Sequence, residues 1–261
     1  MSDNESKNPI TQALGPAASN FGKEIAPLGT DAGKLVYGIY ETVLKKPYDC
    51  VIAIKSEAWK YFKSKLDERL SKETPENLIP PKLAIAEPII EHAVRLENEK
   101  ELQDMFANLL SSSMIKNSSN KVLPSFVEAL KQLSSDEAKI IKSVFNSSSR
   151  SFACLTIKAF NKERFTTVQE CFSLICVEAG CEIPNRTHIY VQSLARLGIL
   201  QQIQNTMFAD MNKYKELEHA VALLDLVKDY EILAPGCNIV FEKNLVQLTD
   251  YGKLLCEVCV K

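Results

Sequence analysis

No stretch of this chain holds the ~20 consecutive apolar residues that a bilayer-spanning helix requires; the densest runs, 171–177 and 220–224, are far shorter. Neither charge sign is in excess, because 31 Lys+Arg stand against 33 Asp+Glu for a formal net charge of -2. That balance removes the broad positive field of a protein that lives on nucleic acid, so any such contact must come from a local patch. Histidine is scarce, with only His92, His188 and His219, and none falls in a recognisable catalytic phrase. Nucleophile-elbow, zincin and dinucleotide motifs are all missing. The segment Gly29-Thr30-Asp31-Ala32-Gly33-Lys34-Leu35 is one residue short of a phosphate loop and has Leu where Ser or Thr must hold magnesium. Glu137-Ala138-Lys139 has the acid-x-Lys form of some metal nucleases, without an upstream Asp in register. No enzyme and no cofactor are expected.

Residues 1–9 are polar and acidic with no apolar stretch behind them, the wrong pattern for a secretory leader. A cytoplasmic location is expected, with the eight cysteines reduced and serving mainly as small core residues. Among them Cys256 and Cys259 form a C-x-x-C, and Cys171, Cys176 and Cys181 are spaced by five. Cys176, Cys181, Cys256 and Cys259 are therefore the weak candidates for a zinc site, against the simpler reading of buried thiols.

What the chain does have is the composition of a folded protein, 46% hydrophobic and 25% charged, and a helical rhythm. Residues 1–21 read as a flexible arm rich in Pro, Gly, Ser and Asn. Helices are expected over 35–44 and 48–70, the latter with Val51, Ile54, Ala58, Phe62, Leu66 and Leu70 on one stripe. Further helices are expected over 82–96, where Pro88 kinks the element or sets its start, from Asn98 paired with Glu101 as a cap, and over 126–133. Ser134 with Glu137 caps another, and 185–197 is a helix stopped by Gly198. Residues 215–228 and a segment capped by Thr249 complete the set. Strand signals are confined to 152–160 and to 238–248, where two apolar runs around Glu242-Lys243-Asn244 suggest a hairpin.

A helix ending LARLGIL, a later hairpin and then LTDYGKLL follow the order of a winged-helix module, although about 35 residues separate Leu200 from the wing. The fold expected is mainly α, with a helical N-terminal domain (22–133) followed by a winged-helix-like α+β C-terminal domain (134–261).

The phrases ELQDMFANLLSSSM (101–114), PSFVEALKQLSSDEAKI (124–140) and VQLTDYGKLL (246–255) resemble the signature of the abortive-infection alpha family, bacterial proteins linked to phage resistance. The resemblance runs from about residue 22 to 258 and is weak over 150–240. It implies a helical fold and a role in phage defence, and it carries over no catalytic residue.

Two surfaces are candidates for binding. Between Lys45 and Lys72 eight Lys+Arg accompany four Asp+Glu; here Lys55, Trp59, Lys60, Lys63 and Arg69 form a possible partner or membrane surface, against a solvated back on a core helix. In the winged-helix-like half, Arg186, Thr187, His188, Tyr190, Gln192 and Arg196, with Lys243 on the wing, are the candidates for nucleic acid. Residues 134–261 carry 14 Lys+Arg and 15 Asp+Glu, poor for holding phosphates. A protein partner is the preferred expectation, nucleic acid or peripheral membrane contact the alternatives.

Overall fold

In the computed structural model the described residues are 57–160, 165–222 and 238–260. They divide into two compact units, one ending at Gln132 and the other beginning at Leu133. The expected arm and the helix over 35–44 lie outside the described residues, as does the start of the helix expected over 48–70.

The first unit is helical. Helix α1 (Glu57–Leu70) buries Ala58, Trp59, Phe62, Leu66 and Leu70 on one stripe, the spacing that makes one face of a helix apolar. It packs on α3 (Lys100–Ser113), which α2 (Leu83–Ala93) and α5 (Pro124–Lys131) also cover. Nearly every α3 residue from Leu102 to Ser113 is therefore buried, polar ones included. Gln103 is one of these, and its amide donates to the carbonyls of Ala58 (3.1 Å) and Leu96 (2.8 Å); without such partners its burial would be costly. Pro88 lies inside α2, five residues after its first, and does not set its start. The Asn98–Glu101 cap is absent. Asn98 takes a left-handed conformation (φ 64°), and Glu99 is the N-cap residue, its side chain making no capping bond to the helix. A short helix, α4 (Lys116–Ser119), precedes α5.

The second unit is a four-stranded antiparallel sheet packed with helices, so it has more strand than the sequence signals suggested. Its helix α6 (Ser135–Asn146) opens with the expected capping box, in which Ser134 accepts from the Glu137 amide while the Glu137 carboxylate accepts from the Ser134 amide. Strand β1 (Ser151–Phe160) is followed by β2 (Phe165–Phe172), α7 (Ile175–Glu178), α8 (Thr187–Arg196), β3 (Leu200–Ile203), α9 (Asn212–Ala222), β4 (Asn238–Leu248) and α10 (Asp250–Cys259). The sheet order is β2-β1-β4-β3.

The expected hairpin over 238–248 is one continuous strand. All ten residues of β1 pair with β4, from Ser151 opposite Gln247 to Phe160 opposite Asn238. Asn244, a turn residue by sequence, is buried; its side-chain amide donates to Thr156 Oγ1 (3.0 Å) and its Oδ1 accepts from the Asn205 backbone amide (3.2 Å). One sheet face is closed by α9, where Tyr214, Leu217 and Val221 meet Leu155 and Ile157. Alternation along β1 turns Cys154 and Thr156 to the other side.

Gly198 (φ 71°) ends α8, and the Ile199 amide reaches back to the Leu194 carbonyl at 2.9 Å, a Schellman closure that only a residue tolerant of left-handed backbone supports cheaply. It delivers Ile199 to the start of α10, where a Cβ on Gly252 would lie 2.2 Å from the Ile199 carbonyl oxygen. Thr249 caps α10 by accepting from the Gly252 amide at 2.9 Å. Among the described residues, no helix is long and apolar enough to cross a membrane.

Candidate interaction surface

Helix α8 is held by a buried carboxylate. Asp136, in the first turn of α6, accepts from the amides of Glu182 (2.8 Å) and Ile183 (3.2 Å), from the Tyr190 hydroxyl (3.0 Å) and from Lys139 Nζ (3.4 Å). Burial alone would raise the Asp136 pKa. The two amides, the Tyr190 hydroxyl and Lys139 outweigh it and hold the carboxyl below its ordinary value. The same contact works in reverse on Tyr190, which burial and the hydrogen bond to Asp136 push up to about 12. Tyr190 thus points into the unit and is not available to a groove.

The other expected nucleic-acid residues are placed in different surroundings. Thr187 is buried, its hydroxyl donating to the Pro184 carbonyl at 2.9 Å, so it faces into the unit. His188 is half-buried, and its Nδ1 has no hydrogen-bond partner among the described residues. Lys243 lies within β4, not at a wing tip, paired with Glu218 of α9 at 3.0 Å. Arg186, Gln192 and Arg196 are exposed.

These three share the outer face of α8 with Ile189, which is 49% exposed, because positions 186, 189, 192 and 196 recur at helical spacing. Gln192 donates to Glu170 of β2 at 3.3 Å. Glu170, Glu178 and Glu182 are all exposed nearby in sequence or through this bond. Two more exposed apolar residues, Val177 and Ile183, precede the helix. Apolar positions ringed by both charge signs suit a protein partner better than a phosphate backbone. Asp136 and Ile189 are not legible as functional residues in the sequence: Asp136 sits inside the Ser134–Glu137 cap phrase, and a single outward Ile in a helix leaves no local signature.

Among the described residues, the lysines of the basic segment are all paired with carboxylates. Lys60 pairs with Glu57 (2.8 Å), Lys63 with Asp67 (2.8 Å), and Lys65 and Lys72 with Glu68 (3.4 Å each). Trp59 is 3% exposed, its ring tilted against Phe62 at 5.9 Å, which removes it from any surface role. Arg69 is half-buried, and desolvation pulls its pKa down. Lys55 lies outside the described residues.

Of the cysteines, Cys154, Cys171, Cys176, Cys181, Cys256 and Cys259 are buried and unpaired by disulfide. Among the described residues no group of three or more His, Cys, Asp or Glu is arranged to hold a metal. Burial pushes Cys181 and Cys256 up to about 12 and Cys259 well above the ordinary thiol value, whereas a zinc ligand must be a thiolate. Cys176 and Cys181 touch each other as core thiols. The turn between them closes through Gly180 (φ 69°) and the Cys181 amide on the Cys176 carbonyl at 2.9 Å. His92 is half-buried against the Phe106 ring at 5.2 Å, and desolvation lowers its pKa. His219 is exposed on α9.

A family model described as abortive infection alpha matches residues 55–259. No curated protein matches the chain. A solved structure of an uncharacterised protein from the marine bacterium Alcanivorax borkumensis SK2 is similar at 18% identity, over 52% of this chain and 93% of that one, with a TM-score of 0.38.

Proposed function

Because the chain belongs to the abortive infection alpha family, a membership that implies a role in abortive infection, we propose that it serves phage defence as a non-enzymatic interaction or sensor protein of the cytoplasm. The observation that carries this reading is the outer face of α8, with an apolar residue, Ile189, set among Arg186, Gln192, Arg196 and exposed glutamates. Such a face offers a partner protein apolar area at its centre and charge at its rim. The polar groups deeper in the unit, Asp136 and Tyr190, are consumed in fixing the helix.

The winged-helix reading of the second unit is supported by the strand order β1-β4-β3 with α8 directly before β3, the arrangement in which a recognition helix leads into the wing. Strand β2 at the sheet edge and α9 between β3 and β4 are additions to it. This favours nucleic acid as the second reading, which the exposed Glu170, Glu178 and Glu182 oppose.

The test pairs a phage-plating assay with binding measurements. Arg186→Glu should abolish protection while circular dichroism stays unchanged, and crosslinking in infected cells should capture a protein through α8. Equal plating with and without the gene across a broad phage panel would remove the defence role. Fluorescence anisotropy showing DNA binding at low salt that fades as salt is added would shift the reading to nucleic acid. Flotation with anionic vesicles would shift it to a membrane surface.

A further inference from the structure

We infer that the α8 face pairs with the α8 face of a second copy of this chain, antiparallel, about a two-fold axis near Ile189. The inference rests on the interaction reading and names its partner. Its basis is that the exposed groups on and around α8 are complementary to themselves when reversed. Glu182 lies just ahead of the N-terminal end of the helix, and Arg196 closes its C-terminal end. Laid antiparallel, each end brings the Glu182 of one copy against Arg196 of the other; laid parallel, like charges would meet.

The inner positions agree. Arg186 and Gln192 are each three residues from Ile189, so a two-fold axis there sets Arg186 of one copy opposite Gln192 of the other. Gln192 is bonded to Glu170 at 3.3 Å, and the cation therefore meets a carboxylate held in place. Ile189, 49% exposed, would lie on the axis against its own counterpart, and Ile183, 38% exposed, precedes the Arg186 turn on the flank. An isologous contact requires this kind of self-complementarity, residue i on j and j on i. The face is also rigid before binding, because the Asp136 carboxylate fixes the Glu182 and Ile183 amides and the Tyr190 hydroxyl together, so little ordering is lost on pairing.

Sedimentation velocity over a concentration series reads the outcome. The 29.2 kDa chain should move toward twice that mass as concentration rises, and added salt should weaken the association. Ile189→Asp should raise the dissociation constant by about tenfold or more, with an unchanged circular dichroism spectrum, since the side chain is at the surface. Arg196→Glu should weaken pairing, and the double variant Glu182→Arg/Arg196→Glu should restore it. A monomer at every concentration overturns the inference, and so does a dimer indifferent to Ile189→Asp. A double variant that is folded yet monomeric overturns the antiparallel arrangement. If the chain is monomeric but Ile189→Asp still abolishes phage protection, this pairing falls while the protein-partner reading stands.

Discussion

A carboxylate with four donors around it is worth more folded than unfolded, and Asp136 is in that position. Its folded pKa lies below the ordinary value, so the stability it contributes is complete above about pH 4 and is lost as pH falls through the lower folded value. Asp136→Ala leaves two amides and a hydroxyl without their acceptor and should cost about 3 kcal/mol in urea denaturation. Asp136→Asn keeps the shape and should cost less, while flattening the acid limb of stability against pH. An unchanged acid limb would show that the charge contributes nothing. Gly252 is a second sensitive position. A methyl there meets backbone, the Ile199 carbonyl, at 2.2 Å, and backbone cannot move aside as a side chain can. Gly252→Ala should lower stability by about 3 kcal/mol, and a thermal midpoint within a degree of the parent would contradict the close approach.

At the scale of elements, the capping box of α6 predicts that Ser134→Ala costs about 1 kcal/mol, measurable by denaturant titration with an unchanged slope. That helix was legible because cap and apolar period coincide in sequence: Ser134, Glu137, Ile140, Ile141 and Val144 give start and face together. The same logic failed at Asn98 and Glu101, where the residue types fit a cap but Asn98 is spent on a left-handed turn. Strand β2 was invisible for a physical reason. As an edge strand with Phe165, Thr166 and Thr167 exposed, it needs no apolar alternation, and alternation is the signal by which strands are read. In β4, Glu242-Lys243-Asn244 imitates a turn. Lys158 and Glu218 neutralise the two charges at 2.6 and 3.0 Å, and Thr156 satisfies the amide, all partners distant in sequence. Of the candidate surface, Arg186, Gln192 and Arg196 were visible from helical spacing. The burial of Thr187 and the pairing of Lys243 with Glu218 are not legible in sequence, because both are decided by segments that a local window does not contain.

At the scale of the molecule, each unit owns a core: α3 and its covering helices in one, the sheet with α6, α8, α9 and α10 in the other. Residues 133–261 expressed alone should therefore melt cooperatively and give dispersed amide resonances. A non-cooperative melt with collapsed dispersion would mean that the sheet unit is not self-sufficient.

The ladder between β1 and β4 also sets a clock. It joins residues 84 apart, as the Lys158–Glu242 pair shows, so loop-closure entropy is spent long before the ten register pairs return it. During synthesis β1 and β2 can zip locally as a hairpin, but β1 must wait with one edge bare until β4 arrives. The sheet unit should consequently fold more slowly than the helical one, and its vulnerable period, when a waiting strand invites a chaperone or another nascent chain, is written into the order of its strands.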